Sequence, residues 1–256
     1  MKAIMNPATL FFNWLNLIIL SLMIGIFGCA TTKKEKISAD KLLIIANSDI
    51  KKKRYEKAQK NFERLLEDYP DSIYKIDALM GLADSIYKQK MYEEARFQYQ
   101  KFTELYPMHS DVDKAHFNMG TCSFKEIESL DRDQTNTDMA LEKFEKIISD
   151  YPNSLYYKEA VENIKFCKKR LAENLLYIGR FYFRIGAYQA TINRMQDLLS
   201  KYPDQGFGDQ AIYYLGESYI REGNLEKAKE SFQILISDYP KSKYVSYAKK
   251  IVTINN

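Results

Sequence analysis

The chain has 256 residues, of which 46% are hydrophobic and 28% charged, enough for one or two domains with a core. Its net charge of +4 is weak and its lysines alternate with acidic residues, so it lacks the basic stripe of a nucleic-acid-binding protein. No nucleophile–base set, glycine-rich phosphate loop or metal-ligand cluster occurs at a usable spacing. These absences argue against an enzyme and against a cofactor or bound metal.

The N-terminal segment differs from the rest of the chain. Residues 1–28 contain one charged side chain, Lys2, and an almost continuous apolar run from Leu15 to Phe27. The run is short for a bilayer span, and it ends in Ile-Phe-Gly-Cys, which resembles a bacterial lipobox. The resemblance implies a signal peptide over 1–28 and a lipidated Cys29. The alternative is a plain transmembrane anchor.

The residues after the cysteine predict where such an anchor would reside. Ala30 occupies the position at which many lipoproteins retained in the inner membrane have aspartate, which favours the outer membrane. Residues 29–38 are polar and lysine-rich, and they are predicted to form a tether. Several acyl chains on Cys29 would hold the protein firmly, because each buried methylene contributes about 0.8 kcal/mol.

A recurring Tyr-Pro pair then divides the chain into repeats. The pairs are Tyr69-Pro70, Tyr106-Pro107, Tyr151-Pro152, Tyr202-Pro203 and Tyr239-Pro240, and their prolines are separated by 37, 45, 51 and 37 residues. Spacings in this range predict stacked helical repeats. Proline cannot continue a helix, so each pair predicts a helix end.

The residues before each proline predict one buried helix face. Small residues lie twelve positions before it, and large apolar residues lie eight and five positions before it. The small set is Ala58, Ala95, Ala140, Thr191 and Ala228; the large sets are Phe62, Tyr99, Phe144, Met195 and Phe232, and Leu65, Phe102, Ile147, Leu198 and Leu235. This pattern resembles the tetratricopeptide repeat, which implies an all-α fold of five helix-turn-helix repeats in a curved solenoid.

Two insertions interrupt the regular spacing. The polar residues 129–136 add eight positions between the helices of repeat three, and we interpret them as a loop. No Gly or Pro occurs from Asn153 to Ile178, which predicts one long helix from about Asn153 to Phe183 that joins repeats three and four. We therefore divide the array into 39–152, with repeats one to three, and 153–252. The second part ends in a capping helix from Ser242 to about Ile251.

The two cysteines within the repeats leave two interpretations open. Cys122 and Cys167 lie in different predicted helices, and an exported chain meets an oxidising space in which they could form a disulfide. The simpler interpretation, which we prefer, is that both are small buried apolar residues. Their spacing suits no metal site.

Several further segments resemble one family of bacterial lipoproteins. They are Asp131-Arg132-Asp133-Gln134, Tyr151-Pro152-Asn153-Ser154 with Tyr156, Lys169-Arg170-Leu171-Ala172, Gly186-Ala187-Tyr188, Asn193-Arg194 and Tyr202-Pro203-Asp204. Together with the lipobox and the repeats, they resemble the BamD family of outer-membrane assembly factors.

The resemblance implies a non-enzymatic subunit held by its lipid on the periplasmic face of the outer membrane. Its C-terminal half would dock the periplasmic POTRA domains of a BamA-like barrel, and its N-terminal half would receive the C-termini of unfolded outer-membrane proteins. Other assembly lipoproteins would be possible partners, and nucleic acid would not. Two alternatives are a periplasmic tetratricopeptide scaffold that serves cell-wall or division machinery and a structural spacer without a peptide groove.

The repeat register predicts a peptide groove on the first helices of repeats two and three. The predicted lining residues are Met80, Asp84, Tyr87, Lys88, Phe117, Thr121, Phe124 and Lys125. Aromatic walls and a lysine suit a peptide that ends in an aromatic residue and a carboxylate. The alternative is that Tyr87, Phe117 and Phe124 belong to the core between repeats.

The resemblance and the charges predict a partner surface around repeat four. Asn193-Arg194 carries the family match, and Arg180 and Arg184 lie nearby in the sequence. Guanidinium groups can hold carboxylates in two-pronged fashion, so these residues are candidate partner contacts, together with Asp131, Arg132 and Asp133 in the loop. The alternative for Arg194 is an intramolecular brace to Asp209 or Glu217.

Overall fold

The Tyr-Pro pairs end helices, as the sequence predicts, and the helices form consecutive antiparallel pairs. The structure is a computed structural model that describes residues 36–254. Repeat one comprises α1 (Ala39–Lys51) and α2 (Tyr55–Asp68), and repeat two comprises α3 (Lys75–Lys88) and α4 (Tyr92–Leu105). Repeat three comprises α5 (Val112–Lys125) and α6 (Thr135–Asp150), and repeat four comprises α7 (Tyr157–Arg184) and α8 (Tyr188–Lys201). Repeat five comprises α9 (Gly208–Arg221) and α10 (Leu225–Asp238), and α11 (Val245–Ile254) follows.

The predicted all-α repeat solenoid is confirmed. Each helix packs mainly on the helices before and after it, and no strand occurs among residues 36–254. The residues from Ala39 onward form one compact unit. None of the described helices is long and apolar enough to cross a bilayer. The predicted signal peptide, Cys29 and all but the last three residues of the tether lie outside the described residues.

The predicted helix face is buried in all five repeats. All fifteen residues at twelve, eight and five positions before the prolines are at most 1% exposed. The reason is a close approach between paired helices: in repeat five, the ring of Phe232 lies where a side chain on Gly216 would be. A small residue on one helix therefore accommodates a large residue on the other.

The turns inside the repeats need a left-handed backbone. One residue in the turn between the two helices of repeats one, two, four and five has a φ between 57° and 79°. In chain order these residues are Lys53, Lys90, Gly186 and Gly223. Glycine adopts this conformation without steric cost, whereas the two lysines adopt it against their preference. Repeat three has the inserted loop at this place.

The long helix is confirmed, with a later start than predicted. It begins at Tyr157 rather than near Asn153, because Ser154 forms a turn: its hydroxyl accepts a hydrogen bond from the Tyr156 amide at 3.1 Å. It ends at Arg184, one residue beyond the predicted end. The final helix, α11, likewise begins at Val245 instead of Ser242.

Helix α11 covers the open end of repeat five. The ring of Tyr244 in the preceding loop stacks on Tyr213 with 4.2 Å between centroids, and the Tyr247 hydroxyl donates to the carboxylate of Glu217. Ser242 donates to the carboxylate of Asp209 at 2.7 Å. The polar groups of this terminal interface are thus paired with one another.

Cys122 and Cys167 are both buried and free in this structure. Burial raises the pKa of each thiol to about 12, so both are neutral at ordinary pH. Cys167 belongs to the apolar cluster around Phe117 and Phe144. The structure therefore agrees with the preferred interpretation, in which both cysteines are small buried apolar residues.

Candidate partner-binding groove

The insertion in repeat three is an ordered loop over residues 126–134. Its centre is the side chain of Gln134, which is 8% exposed and donates to the carbonyls of Ser129 and Arg132 at 2.9 and 3.0 Å. Thr137 donates to its side-chain oxygen at 2.9 Å. One buried amide therefore holds the middle of the loop, and the side chain of Asn136 donates to the carbonyl of Glu126 at its start.

The charged tip of the loop consists of the predicted residues Asp131, Arg132 and Asp133. Asp131 accepts from the Ser129 hydroxyl at 2.5 Å, and Asp133 accepts from the Thr135 amide at the start of α6 at 2.8 Å. These hydrogen bonds hold the pKa of both carboxyl groups below the ordinary value. Both carboxylates are therefore charged and face solvent.

The loop is fastened to the long helix α7 of the next repeat. Asn174 donates from its side-chain amide to the carbonyl of Leu130 at 2.7 Å, and Arg170 donates to the carbonyl of Glu128. The sequence resemblance marked Arg170 only as part of a family segment, and Asn174 was missed. Because the acceptors are main-chain groups, the identity of the loop residues gives no sign of this contact.

The fastened loop forms one wall of a cavity of about 560 Å³. The other walls come from the first helices of repeats four and five, α7 and α9. The lining residues are Leu130, Glu173, Leu176, Tyr177, Arg180, Phe183, Arg184, Tyr213 and Tyr214, and we call this site the arginine groove. It contains Arg180 and Arg184, two of the predicted partner contacts.

The arginine groove combines aromatic surface with two cationic side chains. The Arg180 guanidinium lies over the ring of Tyr214, 5.9 Å from its centroid, and Phe183 packs edge-on against the same ring at 5.2 Å. Neither Arg180 nor Arg184 has an ion-pair partner within the described part of the chain. The groove can therefore receive an anionic group beside an apolar one.

Two of the residues predicted to line a groove on repeats two and three are buried in the core. Met80 and Phe117 are 7% and 5% exposed, which corrects their assignment to a ligand-contacting surface. Phe117 stacks on Tyr156 at 4.7 Å and packs against Phe144, so it belongs to the core between repeats, as the alternative had it. An open cavity, the arginine groove, lies instead on the first helices of repeats four and five.

Asp84 links repeats two and three instead of standing free. It accepts from the Tyr99 hydroxyl at 2.6 Å and pairs with Lys114 at 2.8 Å. Burial and the neighbouring carboxylate raise the pKa of Tyr99. Since both of its carboxylate oxygens have partners, Asp84 stabilises the contact between these two repeats.

The remaining predicted groove residues are partly accessible. Tyr87 lies edge-on to Tyr92 at 5.4 Å, and Phe124 packs on Phe166 at 5.0 Å. The Thr121 hydroxyl donates to a carbonyl one turn earlier, at 3.0 Å. Tyr87 and Phe124 thus combine an intramolecular contact with some exposed surface.

The two predicted lysines belong to a longer series. Lys88 and Lys125 are the last residues of α3 and α5, and both are exposed. Every first helix ends in an exposed basic residue, in chain order Lys51, Lys88, Lys125, Arg184 and Arg221. Sequence reasoning missed the series, although four of its members lie nineteen residues before a proline; Lys125 lies twenty-seven residues before Pro152, because the inserted loop intervenes. A cation at this place also complements the helix dipole.

Asn193 and Arg194 lie on α8, the second helix of repeat four, and do not line the arginine groove. Arg194 pairs with Asp197 on its own helix, with 3.6 Å between nitrogen and oxygen. The alternative brace to Asp209 or Glu217 is not formed; those carboxylates accept from Ser242 and Tyr247 instead. The structure therefore separates Arg194 from Arg180 and Arg184.

The described residues contain no group of three or more His, Cys, Asp and Glu side chains that could hold a metal ion. What they present is a helical-repeat scaffold with one open, cationic and aromatic groove. Fold and site thus define a tetratricopeptide-repeat binding protein.

Comparison with known proteins gives the family. Residues 35–231 match the family described as YfiO, outer membrane lipoprotein, and the chain belongs to this family. It is 28% identical to the outer membrane protein assembly factor BamD of Rickettsia prowazekii (strain Madrid E) over 239 residues, 92% of this chain and 94% of that protein. It is 41% identical to BamD of Vibrio cholerae serotype O1 over 78 residues, 30% of this chain and 32% of that protein. The relationship expected from the sequence is confirmed.

Among solved structures, the chain is similar to the TPR2AB domain of yeast Sti1 in complex with pHSP90. The TM-score is 0.43 at 15% identity, over 85% of this chain and 83% of that one. A likeness at this level adds nothing to the fold already described.

Proposed function

We propose that this chain is a non-enzymatic lipoprotein subunit of an outer-membrane β-barrel assembly machine. In this role it docks the POTRA domains of a BamA-like barrel and helps to receive unfolded outer-membrane proteins. Its lipid would hold it on the periplasmic face of the outer membrane. The names of its relatives support the role in assembly, and the arginine groove supports the docking.

The observation that carries the docking proposal is the pair Arg180 and Arg184 in an aromatic groove. Neither guanidinium is neutralised by a carboxylate of the described residues, so both remain available to one on a partner. Aromatic and arginine side chains in a partly desolvated pocket commonly supply most of the binding free energy of an interface. The loop over 126–134 adds Asp131, Arg132 and Asp133 beside the groove, which offers charges of both signs to a polar rim.

The test is binding of the purified chain to the isolated POTRA domains of the barrel from the same organism. Reversal of both groove charges, by Arg180→Glu with Arg184→Glu, should weaken the complex at least about tenfold. The matched control reverses Lys165 and Lys169, which are exposed on the same helix outside the groove. Equal loss in both double variants would mean that only net charge matters, and no loss in either would refute docking at the groove.

Co-purification from detergent-solubilised membranes tests the wider assignment. A chain tagged at its C-terminus should recover a POTRA-bearing barrel, and the Arg180→Glu/Arg184→Glu chain should recover less of it. Recovery of cell-wall or division proteins without the barrel would contradict the assembly role and favour a different periplasmic scaffold.

Receipt of client proteins is assigned to the basic ends of the first helices in repeats two and three. Lys88 and Lys125 are exposed, and each follows a partly accessible aromatic residue, Tyr87 or Phe124. A barrel-derived peptide that ends in an aromatic residue and a carboxylate would match both groups. Fluorescence anisotropy should show weaker peptide binding by Lys88→Glu with Lys125→Glu, and unchanged affinity would refute this site. Lys165→Glu with Lys169→Glu again controls for net charge.

A further inference from the structure

Three loops between repeats each expose one aliphatic side chain almost completely. Ile73, Met108 and Leu155 are 84%, 94% and 95% exposed, more than any other large apolar residue among residues 36–253. They lie in the connections from α2 to α3, from α4 to α5 and from α6 to α7. We call these three residues the apolar loop edge.

The three loops share one edge of the array. Each loop leads into the N-terminus of a first helix, and successive first helices occupy equivalent places in successive repeats. The loops after repeats two and three adjoin, because residues of both, including Met108 and Ser154, line one cavity of about 590 Å³. The loops that carry Met108 and Leu155 therefore lie side by side, and the repeat register puts Ile73 at the equivalent place in repeat one.

Hydrogen bonds hold these loops in place. The Ser72 hydroxyl accepts from the Tyr74 amide at 3.1 Å, and Ser154 repeats the same contact with Tyr156. In the middle loop, His109 accepts from the Asp111 amide at 3.1 Å. The aliphatic tips are thus presented to solvent by ordered turns, with half-buried tyrosines beside them. An aliphatic tip next to tyrosine is the composition that favours a membrane–water interface.

The corresponding loops of the C-terminal repeats lack this feature. The third residue after the proline is Ile73 in the loop after repeat one and Leu155 in the loop after repeat three. The equivalent residues after repeats four and five are Gly206 and Lys243. Among the loops that follow the Tyr-Pro pairs, the highly exposed aliphatic residues are therefore confined to repeats one to three.

Helix α1 begins at the same edge of the repeat array. Helix α1 is also a first helix, so its N-terminus at Ala39 lies at the edge that carries the loops. Cys29 precedes Ala39 by ten residues, which span at most about 35 Å when fully extended. A membrane that holds a lipid on Cys29 is consequently within reach of the apolar loop edge.

We propose that the apolar loop edge, Ile73, Met108 and Leu155, inserts into the lipid interface of the membrane to which the chain is anchored. The proposal rests on lipidation of Cys29, which is part of the proposed function. Contact with the lipid at three further points would fix the orientation of the repeats relative to the bilayer, which a flexible tether alone cannot do. Charges of both signs lie near the tips in the sequence, with Asp71 and Lys75 beside Ile73, Asp111 beside Met108 and Lys158 beside Leu155, so the surface favoured is zwitterionic rather than strongly anionic.

Spin labels on the tips of the lipidated chain test the insertion in vesicles of phosphatidylcholine and phosphatidylethanolamine. Single labels are placed by Ile73→Cys, Met108→Cys and Leu155→Cys, and Lys243→Cys is the control. The native Cys122 and Cys167 are buried, which protects them from labelling. The three tips should collide more often with oxygen, which is concentrated in lipid, than with a water-soluble nickel chelate, and the control should show the reverse. Water-like collisions at all four positions would overturn the proposal.

A second measurement does not depend on the lipid. The chain that begins at residue 29 and carries Cys29→Ser should partition weakly into the same vesicles, and Ile73→Ser with Met108→Ser and Leu155→Ser should reduce partitioning by roughly tenfold or more. Equal partitioning would refute insertion even if the chain proves not to be lipidated. Tips that become shielded from both collision reagents only when the barrel partner is added would identify a protein surface as their occupant, and would also overturn the proposal. A chain that is lipidated and binds the POTRA domains, yet keeps its tips in water, would leave the proposed function intact.

Discussion

Asn174 on the long helix donates from its side-chain amide to the main-chain carbonyl of Leu130, and 2.7 Å separates the nitrogen from the oxygen. Arg170, one turn earlier on the same helix, donates to the carbonyl of Glu128. Two side chains of repeat four thus hold the inserted loop of repeat three and, with it, one wall of the arginine groove.

Removal of both donors should release the loop without unfolding the repeats. In Arg170→Met with Asn174→Leu, we expect the amides of residues 126–134 to exchange hydrogen at least about tenfold faster, because the carbonyls lose their partners. The free energy of unfolding should fall by only about 1–2 kcal/mol. Hydrogen exchange followed by mass spectrometry measures the loop, and denaturant unfolding measures the stability.

The matched control for the released loop is Lys169→Met, which changes an exposed neighbour on the same helix. It should leave the exchange of residues 126–134 unchanged. Unchanged exchange in the double variant as well would show that the hydrogen bonds of Gln134 and Asn136 are sufficient to hold the loop. If the double variant binds the POTRA domains more weakly and Lys169→Met does not, the fastened loop is needed to complete the groove.

The close approach of paired helices predicts unequal effects of one substitution in two repeats. A methyl group on Gly216 would lie 2.7 Å from the Phe232 ring, whose position is fixed in the core. A methyl group on Gly179 would meet the end of the Met195 side chain, which can rotate away. We expect Gly216→Ala to lower the free energy of unfolding by about 1–3 kcal/mol and Gly179→Ala to lower it by less. Urea denaturation measures both, and a larger loss at Gly179 would contradict the argument.

Helix periodicity and the proline register were sufficient to predict the repeats. The buried face could be assigned because small and large residues recur at fixed distances from Pro70, Pro107, Pro152, Pro203 and Pro240. Helix starts were less predictable, since Ser154 caps a turn three residues before α7 begins rather than the helix itself. A serine after Tyr-Pro is compatible with either role.

The candidate site could be predicted only in part. Arg180 and Arg184 were identified from their charge, but Tyr213 and Tyr214 enter the groove from the next repeat, and one sequence gives no measure of that distance. The burial of Met80 and Phe117 was not predicted because groove and core positions of a first helix differ only in how closely the next repeat packs on them. The exposed tips at Ile73 and Leu155 follow from the turn geometry, which the apolar pattern does not specify.

Arg194 offers a test that separates binding from stability. Its ion pair with Asp197 lies on the surface, with the two side chains 43% and 36% exposed. Such pairs contribute about 0–1 kcal/mol, so Arg194→Leu should change the melting temperature little. If Arg194 contacts a partner as the family resemblance implies, the same variant should bind the POTRA domains more weakly.

Asp197→Asn is the control for Arg194→Leu, because it removes the intramolecular partner and leaves the guanidinium in place. Binding should then be kept or strengthened. The β-carbon of Arg194 lies close to Gly179 on α7. A large drop in melting temperature for Arg194→Leu would therefore mean that the arginine stabilises the packing of α8 on α7.

His116 makes the stability of repeat three depend on pH. Burial, followed by the positive charges of Lys146 and Lys143, lowers the pKa of its imidazole from 6.5 to about 4. Its Nδ1 atom is buried and has no hydrogen-bond partner among the described residues, and its ring lies 5.8 Å from that of Tyr151. The folded protein therefore holds this imidazole neutral.

The sign of the effect follows from proton uptake. Below pH 6.5 the unfolded chain binds a proton at His116 that the folded chain does not bind until about pH 4, so the contribution of His116 to stability falls as the pH falls through this window. Because the side chain is only half-buried, we expect the loss between pH 7 and pH 5 to be on the order of 1 kcal/mol. His116→Phe keeps a ring against Tyr151 and should lose correspondingly less stability over the same interval. His109→Gln removes the chain's other histidine and should retain the wild-type dependence. Urea unfolding at pH 5, 6 and 7 measures the difference, and parallel pH profiles for wild type and His116→Phe would place the titrating group elsewhere.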